Sequence, residues 1–352
     1  MRLVVSGGGT GGHFFPALAL LEEARRKGIE TLYVGAVRGI ENRLRDMIPS
    51  ESLFLNVYPL RGVSLKERLR SVKGFLNSFF ELRSRIGEDF RSLIFGGYVS
   101  VPLGTVTLLR RKPLFVHEQN SVPSSTNRLF SLTARKVFIT FEYTRRFFRG
   151  DHVIKTGLPV RREILETKIS RESAREILGF DPSSPVFLFM GGSQGAKFVN
   201  SLGADFARRT GVQTLIISGE RDYQRVKDMV KGLTRVKVFP FRTDMGVVYS
   251  AVDVAVVRAG SSTLTEISLF GIPALMIPYP FAVGDHQYYN AKEIEEMGGG
   301  FVLRQEEATT EKVIGLVDRI VGDHRTMSER IRRFANPEAS RIILKEIAEE
   351  VL

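Results

Sequence analysis

The chain reads as an α/β protein of two doubly wound, Rossmann-like domains facing a central cleft. Three observations predict this. Short β-branched or apolar runs alternate with amphipathic stretches, the pattern of parallel sheets covered by helices. A strand-to-glycine-loop-to-helix opening occurs twice, at residues 3–12 and again at 185–195. The 352 residues also exceed the roughly 250 to 300 that one hydrophobic core organises.

In chain order, the first half offers strands at Leu3–Ser6, Thr31–Gly35, Leu53–Val57, Leu93–Phe95, Leu114–His117, Lys136–Thr140 and Val153–Lys155. Helical patterns such as Pro16–Arg26 and Leu65–Ile86 separate them. The pattern restarts at Pro185–Met190 and continues at Gln213–Ser218, Val236–Phe239, Asp253–Val257, Ala274–Ile277 and Phe301–Leu303. A hinge is expected near Thr156–Arg161, giving domains 1–158 and 159–352, with the last helix packing back on the first domain. No short-period repeat or low-complexity tract interrupts the series.

Composition narrows the function classes. Hydrophobic residues at 43% and charged residues at 26% are ordinary for a globular protein and argue against wholesale disorder. The absence of Cys removes disulfides, thiolate metal sites and Cys nucleophiles together. No run approaches the roughly 18 apolar residues of a membrane span, and MRLVVSGGG reaches glycine too early for a signal-peptide core, so a cytosolic protein is expected. The net charge of +12 is one-sided: residues 1–158 hold 25 Lys and Arg against 13 Asp and Glu, and residues 159–352 hold 26 of each.

Glycines between a strand and a helix let backbone N–H groups approach a ligand, and the helix N-terminus favours negative charge. Three such clusters stand at strand ends: Gly7–Gly12, Gly96-Gly97-Tyr98, and Gly191–Ala196. Singly each is a tight turn; jointly, at one crevice, they argue for a phosphate-bearing ligand. Gly7, Gly9 and Gly12 match G-x-G-x-x-G, but the second strand ends Tyr33–Arg38 with no acid for a ribose until Glu41, so a dinucleotide is disfavoured. Gly195-Ala196-Lys197-Phe198 lacks the Ser or Thr of a Walker loop, which disfavours ATP hydrolysis.

The blocks GGGTGGHFFPALAL (7–20), GGYVSVP (96–102), HEQNSVPSSTN (117–127), TGLPVR (156–161), GGSQGA (191–196), RAGSSTLTE (258–266), GIPALMIPYP (271–280) and DHQYYNA (285–291) resemble, in order and across nearly the whole chain, the MurG family. These transferases move N-acetylglucosamine from UDP onto the lipid-linked muramyl-pentapeptide of peptidoglycan synthesis. The resemblance implies the two-domain GT-B architecture, an acceptor on the N-terminal domain, a UDP-sugar donor on the C-terminal one, and an inverting, metal-independent reaction with no cofactor. The sequence concurs in having no Asp-x-Asp, the usual cation-holding element of metal-dependent sugar transferases.

Carried over by position, the resemblance implies donor contacts at Thr10, Gly11, Gly12, Asn120, Arg161, Ser193 and Gln287. It places Ser261–Glu266 under the nucleotide, Leu264 included, with Thr263 at phosphate and Glu266 accepting from the ribose hydroxyls. Backbone groups near Phe241 and Arg242 would read the base. The acceptor C4 hydroxyl must lose a proton as it attacks, and the departing diphosphate must be stabilised. His13, at the end of the first glycine loop, is the leading base because histidine titrates near neutrality; a loop-orienting role weighs equally. Glu118 is the alternative base, and Asn127 a further substrate contact. Gln287 and Asn290, three apart at a helix start, would share a face and read sugar hydroxyls.

Residues 61–91 interleave Leu65, Leu69, Val72, Leu76 and Phe79 with Lys and Arg. Such a basic amphipathic helix suits an anionic membrane surface, where each cation is worth roughly 1 kcal/mol. One apolar face must pack inward, so Leu69, Leu76 and Phe79 are the expected membrane contacts, with Thr105–Lys112 nearby. Peripheral attachment at the cytoplasmic face of the cell membrane follows, with other cell-wall synthesis proteins as further partners. Two rival classes are weaker. A soluble UDP-sugar epimerase on this architecture needs neither the one-sided charge nor the HEQN block, and a nucleic-acid-binding protein would leave the glycine clusters unexplained.

Overall fold

The computed structural model describes residues 2–58, 65–192 and 196–349, and for 65–70 the backbone alone. The chain forms two compact units, Met1–Arg161 with Pro337–Leu352, and Arg162–Asn336. Each is built on a wholly parallel sheet, as the alternating pattern requires.

The first unit has strands β1 (Arg2–Ser6), β2 (Thr31–Ala36), β3 (Glu51–Leu55), β4 (Phe90–Ile94), β5 (Leu114–Glu118), β6 (Lys136–Ile139) and β7 (Val153–Lys155), in the order β3-β2-β1-β4-β5-β6-β7. Helices α1 (Gly11–Arg26), α2 (Ile40–Arg43), α3 (Leu65–Arg85), α4 (Ser100–Leu109) and α5 (Ser125–Ser131) belong to this unit. One face of the sheet carries a core with Leu18, Leu21 and Phe115; the other packs Leu82, Leu103 and Val106 against Val4 and Ile94. The helix Ala339–Glu349 joins the first of these cores through Ile343, Leu344 and Ile347. Its C-terminal carbonyls accept from Arg91, and Glu346 pairs with Lys136 at 2.8 Å.

The second unit has β8 (Val186–Met190), β9 (Gln213–Ile217), β10 (Val236–Phe239), β11 (Val254–Val257), β12 (Ala274–Met276) and β13 (Gly300–Val302), in the order β10-β9-β8-β11-β12-β13. Both orders reverse direction once, between β1 and β4 and between β8 and β11. Strand order reversal opens a crevice at the carboxyl ends of the flanking strands. The glycine clusters follow β1, β4 and β8, so all three stand at these two switch points.

Candidate active site

In the first unit, three loops converge at the β1/β4 switch point. Ser6 accepts from Phe95 N–H at 2.8 Å, which draws the ends of β1 and β4 together. The first loop turns through Gly9 (φ 80°) into Thr10, whose extended backbone caps α1. The helix begins at Gly11, five residues before the expected start at Pro16, so Pro16 lies in its second turn and the Gly12 carbonyl loses its i+4 helical donor. Thr10 Oγ1 lies 3.0 Å from His13 Nδ1. Gly97 (φ 79°) approaches the same ring: a Cβ there would stand 3.7 Å from His13 Nδ1 and 3.2 Å from the Gly8 carbonyl. The half-buried Tyr98 ring closes over Gly9.

The third loop is organised by Glu118, which is 1% exposed. Its carboxylate accepts from Asn120 N–H (3.0 Å), Ser124 N–H (3.0 Å) and Asn127 Nδ2 (2.8 Å). Burial pushes its carboxyl up to about 7, against the pull of those donors. So enclosed, the carboxylate holds the HEQN loop in shape, which counts against its use as the alternative base. Asn127 is likewise buried, donating to Glu118 and to the His117 carbonyl at 3.0 Å, with its backbone N–H capped by Ser124 Oγ at 3.2 Å. It is therefore a spoke of the loop, with its Oδ1 buried and unbonded beside Gly96. His117 bonds the Gly157 carbonyl at 3.1 Å, and burial lowers its pKa to about 4. Half-buried Asn120 has its carbonyl held by Thr144 Oγ1 at 2.9 Å, and Arg161 stacks over Phe15 at 5.2 Å.

In the second unit, the helix Ser261–Phe270 starts at the end of β11 behind Gly260, which has no side chain to cap it. The first-turn N–H groups thus face the switch point. Half-buried Thr263 belongs to this turn, and Glu266 one turn on accepts from Tyr249 Oη at 2.8 Å. Leu264 lies in the same turn with its side chain wholly buried and its N–H on the Gly260 carbonyl at 3.0 Å. Asn290 is buried with Nδ2 on the Ala259 carbonyl at 3.0 Å, which ties it to the loop after β11. Gln287 remains half-buried, with Oε1 held by Tyr279 N–H at 3.0 Å. The Arg242 guanidinium forks onto Asp244 at 2.8 and 2.5 Å and stacks on Phe239 at 4.7 Å, which leaves only its backbone for a base. Ser193 lies outside the described residues.

Two residues carry roles that the sequence reading did not assign. Arg258, at the end of β11, is buried and donates to the Ile277 (3.1 Å) and Pro278 (2.9 Å) carbonyls and to Gln305, with Nε unbonded. Burial lowers its pKa. The other is Glu41, dismissed as too distant for a ribose. The signal for Arg258 was its place in the RAGSSTLTE block, immediately before the helix-opening glycine. Among the described residues no group of three or more His, Cys, Asp or Glu could hold a metal ion.

The apolar stripe of α3 is shifted from expectation. Phe79 packs against the sheet core, whereas Val72, Leu76 (47% exposed) and Phe80 (63% exposed) face solvent at i, i+4, i+8, with Leu109 exposed at the end of α4. Phe79 therefore packs inward rather than facing solvent as expected, and the side chain of Leu69 lies outside the described residues. Among the described residues no helix is long and apolar enough to cross a membrane.

Comparison with known proteins assigns the architecture. The glycosyltransferase family 28 N-terminal domain matches residues 3–139, and its C-terminal domain matches residues 186–346. A UDP-N-acetylglucosamine--N-acetylmuramyl-(pentapeptide) pyrophosphoryl-undecaprenol N-acetylglucosamine transferase of Aquifex aeolicus is 47% identical over 94% of this chain and 95% of its own. The protein of that name from Bacillus subtilis is 34% identical over 97% of each. The crystal structure of Acinetobacter baumannii MurG superposes with a TM-score of 0.77 at 26% identity, covering 99% of both chains. A UDP-GlcNAc 2-epimerase from Neisseria meningitidis superposes at 0.68 with 14% identity, a likeness of fold alone. The chain has the GT-B fold and belongs to glycosyltransferase family 28, within its MurG group.

Proposed function

We propose that the protein transfers N-acetylglucosamine from UDP-N-acetylglucosamine to the C4 hydroxyl of a lipid-linked muramyl-pentapeptide, converting lipid I to lipid II. The observation that carries this reading is the 47% identity, spanning both units, to a transferase named for that reaction. The finer assignments are a β-1,4 linkage made with inversion, without a metal ion, the first unit taking the acceptor and the second the donor.

In this reading His13 is the base. A proton on Nδ1 donated to Thr10 Oγ1, 3.0 Å away, leaves the lone pair on Nε2. The acceptor hydroxyl gives its proton to Nε2 as its oxygen bonds the anomeric carbon, and the bond from that carbon to the diphosphate breaks, its electron pair leaving with UDP. The uncapped first turn at Ser261–Thr263, backed by Arg258, supports the departing charge. Ser193 in the glycine loop after β8 assists, and Arg161 and Gln287 hold the donor. Glu266 accepts from the ribose hydroxyls.

Attachment to an anionic membrane surface is supported by the solvent-facing row Val72, Leu76 and Phe80 beside exposed Lys73, Arg83 and Arg85. The decisive assay incubates the protein with UDP-N-acetylglucosamine and a lipid-linked muramyl-peptide analogue, with and without chelator, and follows UDP release. Release that needs the acceptor and ignores the chelator is expected; strict metal dependence overturns the mechanism, and no transfer overturns the function.

A further inference from the structure

Glu41 has no solvent exposure. One carboxylate oxygen accepts from Gly9 N–H and the other from Ala36 N–H, each at 2.9 Å. No Lys or Arg among the described residues forms an ion pair with it. A buried charge without a counter-ion is costly unless hydrogen bonds compensate it, and here the Gly9 and Ala36 N–H groups supply that compensation. The surrounding sequence is shaped around it. A Cβ on Gly8 would lie 2.2 Å from the carboxylate, and one on Gly39 2.1 Å; on Gly35 it would meet the Glu41 Cγ at 3.0 Å. Three glycines thus vacate the volume that one side chain fills.

The same loop is tied on its other flank. Tyr33 Oη donates to the Gly7 carbonyl at 2.6 Å, and Tyr98 lies against Gly9. Gly7 and Gly9 are therefore fixed from opposite ends of the turn, and the next residues in the chain are Thr10 and the start of α1 with His13. In a nucleotide-binding glycine loop, the N–H corresponding to Gly9 is the kind of donor offered to a diphosphate. Here a resident carboxylate already occupies it.

We propose that Glu41 is a positioning residue: it serves as the built-in anion of the first glycine loop, fixing the turn that presents Thr10 and His13 and turning the Gly9 amide away from phosphate. The loop then suits an uncharged, hydroxyl-bearing ligand. This rests on the reading of His13 as part of the transfer site.

The test uses Glu41→Gln, which keeps the shape but sets an NH2 against one of the two N–H groups. Amide hydrogen exchange of residues 9–13 should accelerate by about tenfold or more as loop opening becomes easier. Turnover should fall by about 10- to 100-fold through misplacement of His13, while affinity for free UDP, read here as held by the second unit, changes by much less. Because Glu41→Gln could impair folding, Gly8→Ala provides a second route, displacing the carboxylate by a methyl group. Its effect should largely vanish in a Glu41→Ala background, since the clash is then gone. Unchanged exchange in a folded Glu41→Gln protein, or simple additivity of Gly8→Ala and Glu41→Ala, overturns the proposal. A wild-type enzyme without transfer would instead sink the functional reading, while the exchange measurement still decides the role of Glu41.

Discussion

The two switch points are built with opposite polarity. In the first unit the loops are held from within by carboxylates, Glu41 on Gly9 and Ala36 N–H, and Glu118 on the amides of the HEQN loop. In the second unit the loops are held by a cation, Arg258, on the Ile277 and Pro278 carbonyls, beside a helix N-terminus with no side-chain cap. Buried carboxylates consume the N–H groups that an anionic ligand would seek; a buried guanidinium consumes carbonyls and leaves N–H groups outward. In the proposed reading, the same topology gives one crevice suited to a neutral hydroxyl and one suited to a diphosphate. The net charge points the other way, since the basic excess lies wholly in the first unit's half of the sequence. Local hydrogen bonding, rather than the surface field, sets ligand polarity at each site.

The largest effect should come from the neutral site. His13→Ala is expected to lower turnover by about 10²- to 10⁴-fold with little change in donor KM, and unchanged turnover ends the base assignment. On the opposite site, Arg258→Met removes the cation and strands two carbonyls. UDP affinity by calorimetry should drop by about 30-fold, the equivalent of roughly 2 kcal/mol; unaltered UDP binding would break the polarity comparison. Glu266→Gln should weaken UDP by about tenfold and Tyr249→Phe by less, because the tyrosine only orients the carboxylate.

Phe79 and Phe80 offer a comparison within α3. Phe80→Asp should cut vesicle co-sedimentation by about tenfold and leave thermal stability intact, while Phe79→Asp should lower stability because its ring packs in the core. Binding insensitive to Phe80→Asp and to salt would reject the membrane face.

The smallest effect concerns pH. Glu118, raised from 4.5 to about 7, contributes stability below 4.5 that is lost as pH rises through 7; His117, lowered from 6.5 to about 4, contributes stability above 6.5 that is lost as pH falls through 4. Between pH 4.5 and 6.5 the two slopes oppose. Glu118→Gln leaves only the histidine slope, so the unfolding free energy from urea titrations should fall on acidification across that window, by up to about 1.4 kcal/mol per pH unit. A variant whose profile matches wild type would show that Glu118 does not titrate as proposed.

The central parallel strands were legible because they are buried on both faces and read as continuous apolar runs, whereas the edge strands Glu51–Leu55, Val153–Lys155 and Val236–Phe239 are only partly buried; Val153–Lys155 and Val236–Phe239 match the expected bounds, and the rest differ by a few residues at their ends. The glycine loops were legible because glycine marks backbone that a side chain would obstruct. Burial of polar residues was not. Asn290 and Gln287 look alike in sequence, yet one is pinned beneath Ala259 and the other stays half-buried beside Tyr279. Adjacent Phe79 and Phe80 differ by one helical step of 100°, which decides core or solvent.

The sequence by itself determined the alternation of elements, the two glycine-loop openings and the family, because periodicity and ordered motifs are local properties of the chain. Only the tertiary structure decided which carboxylates serve as scaffolding. Glu41 and Gly9 stand 32 positions apart, Glu118 meets Asn127 from 9 positions away, and Arg258 reaches Pro278 across 20. Such partners are set by which strand ends become neighbours in the sheet, and that order is fixed by packing of the whole unit rather than by any segment of it.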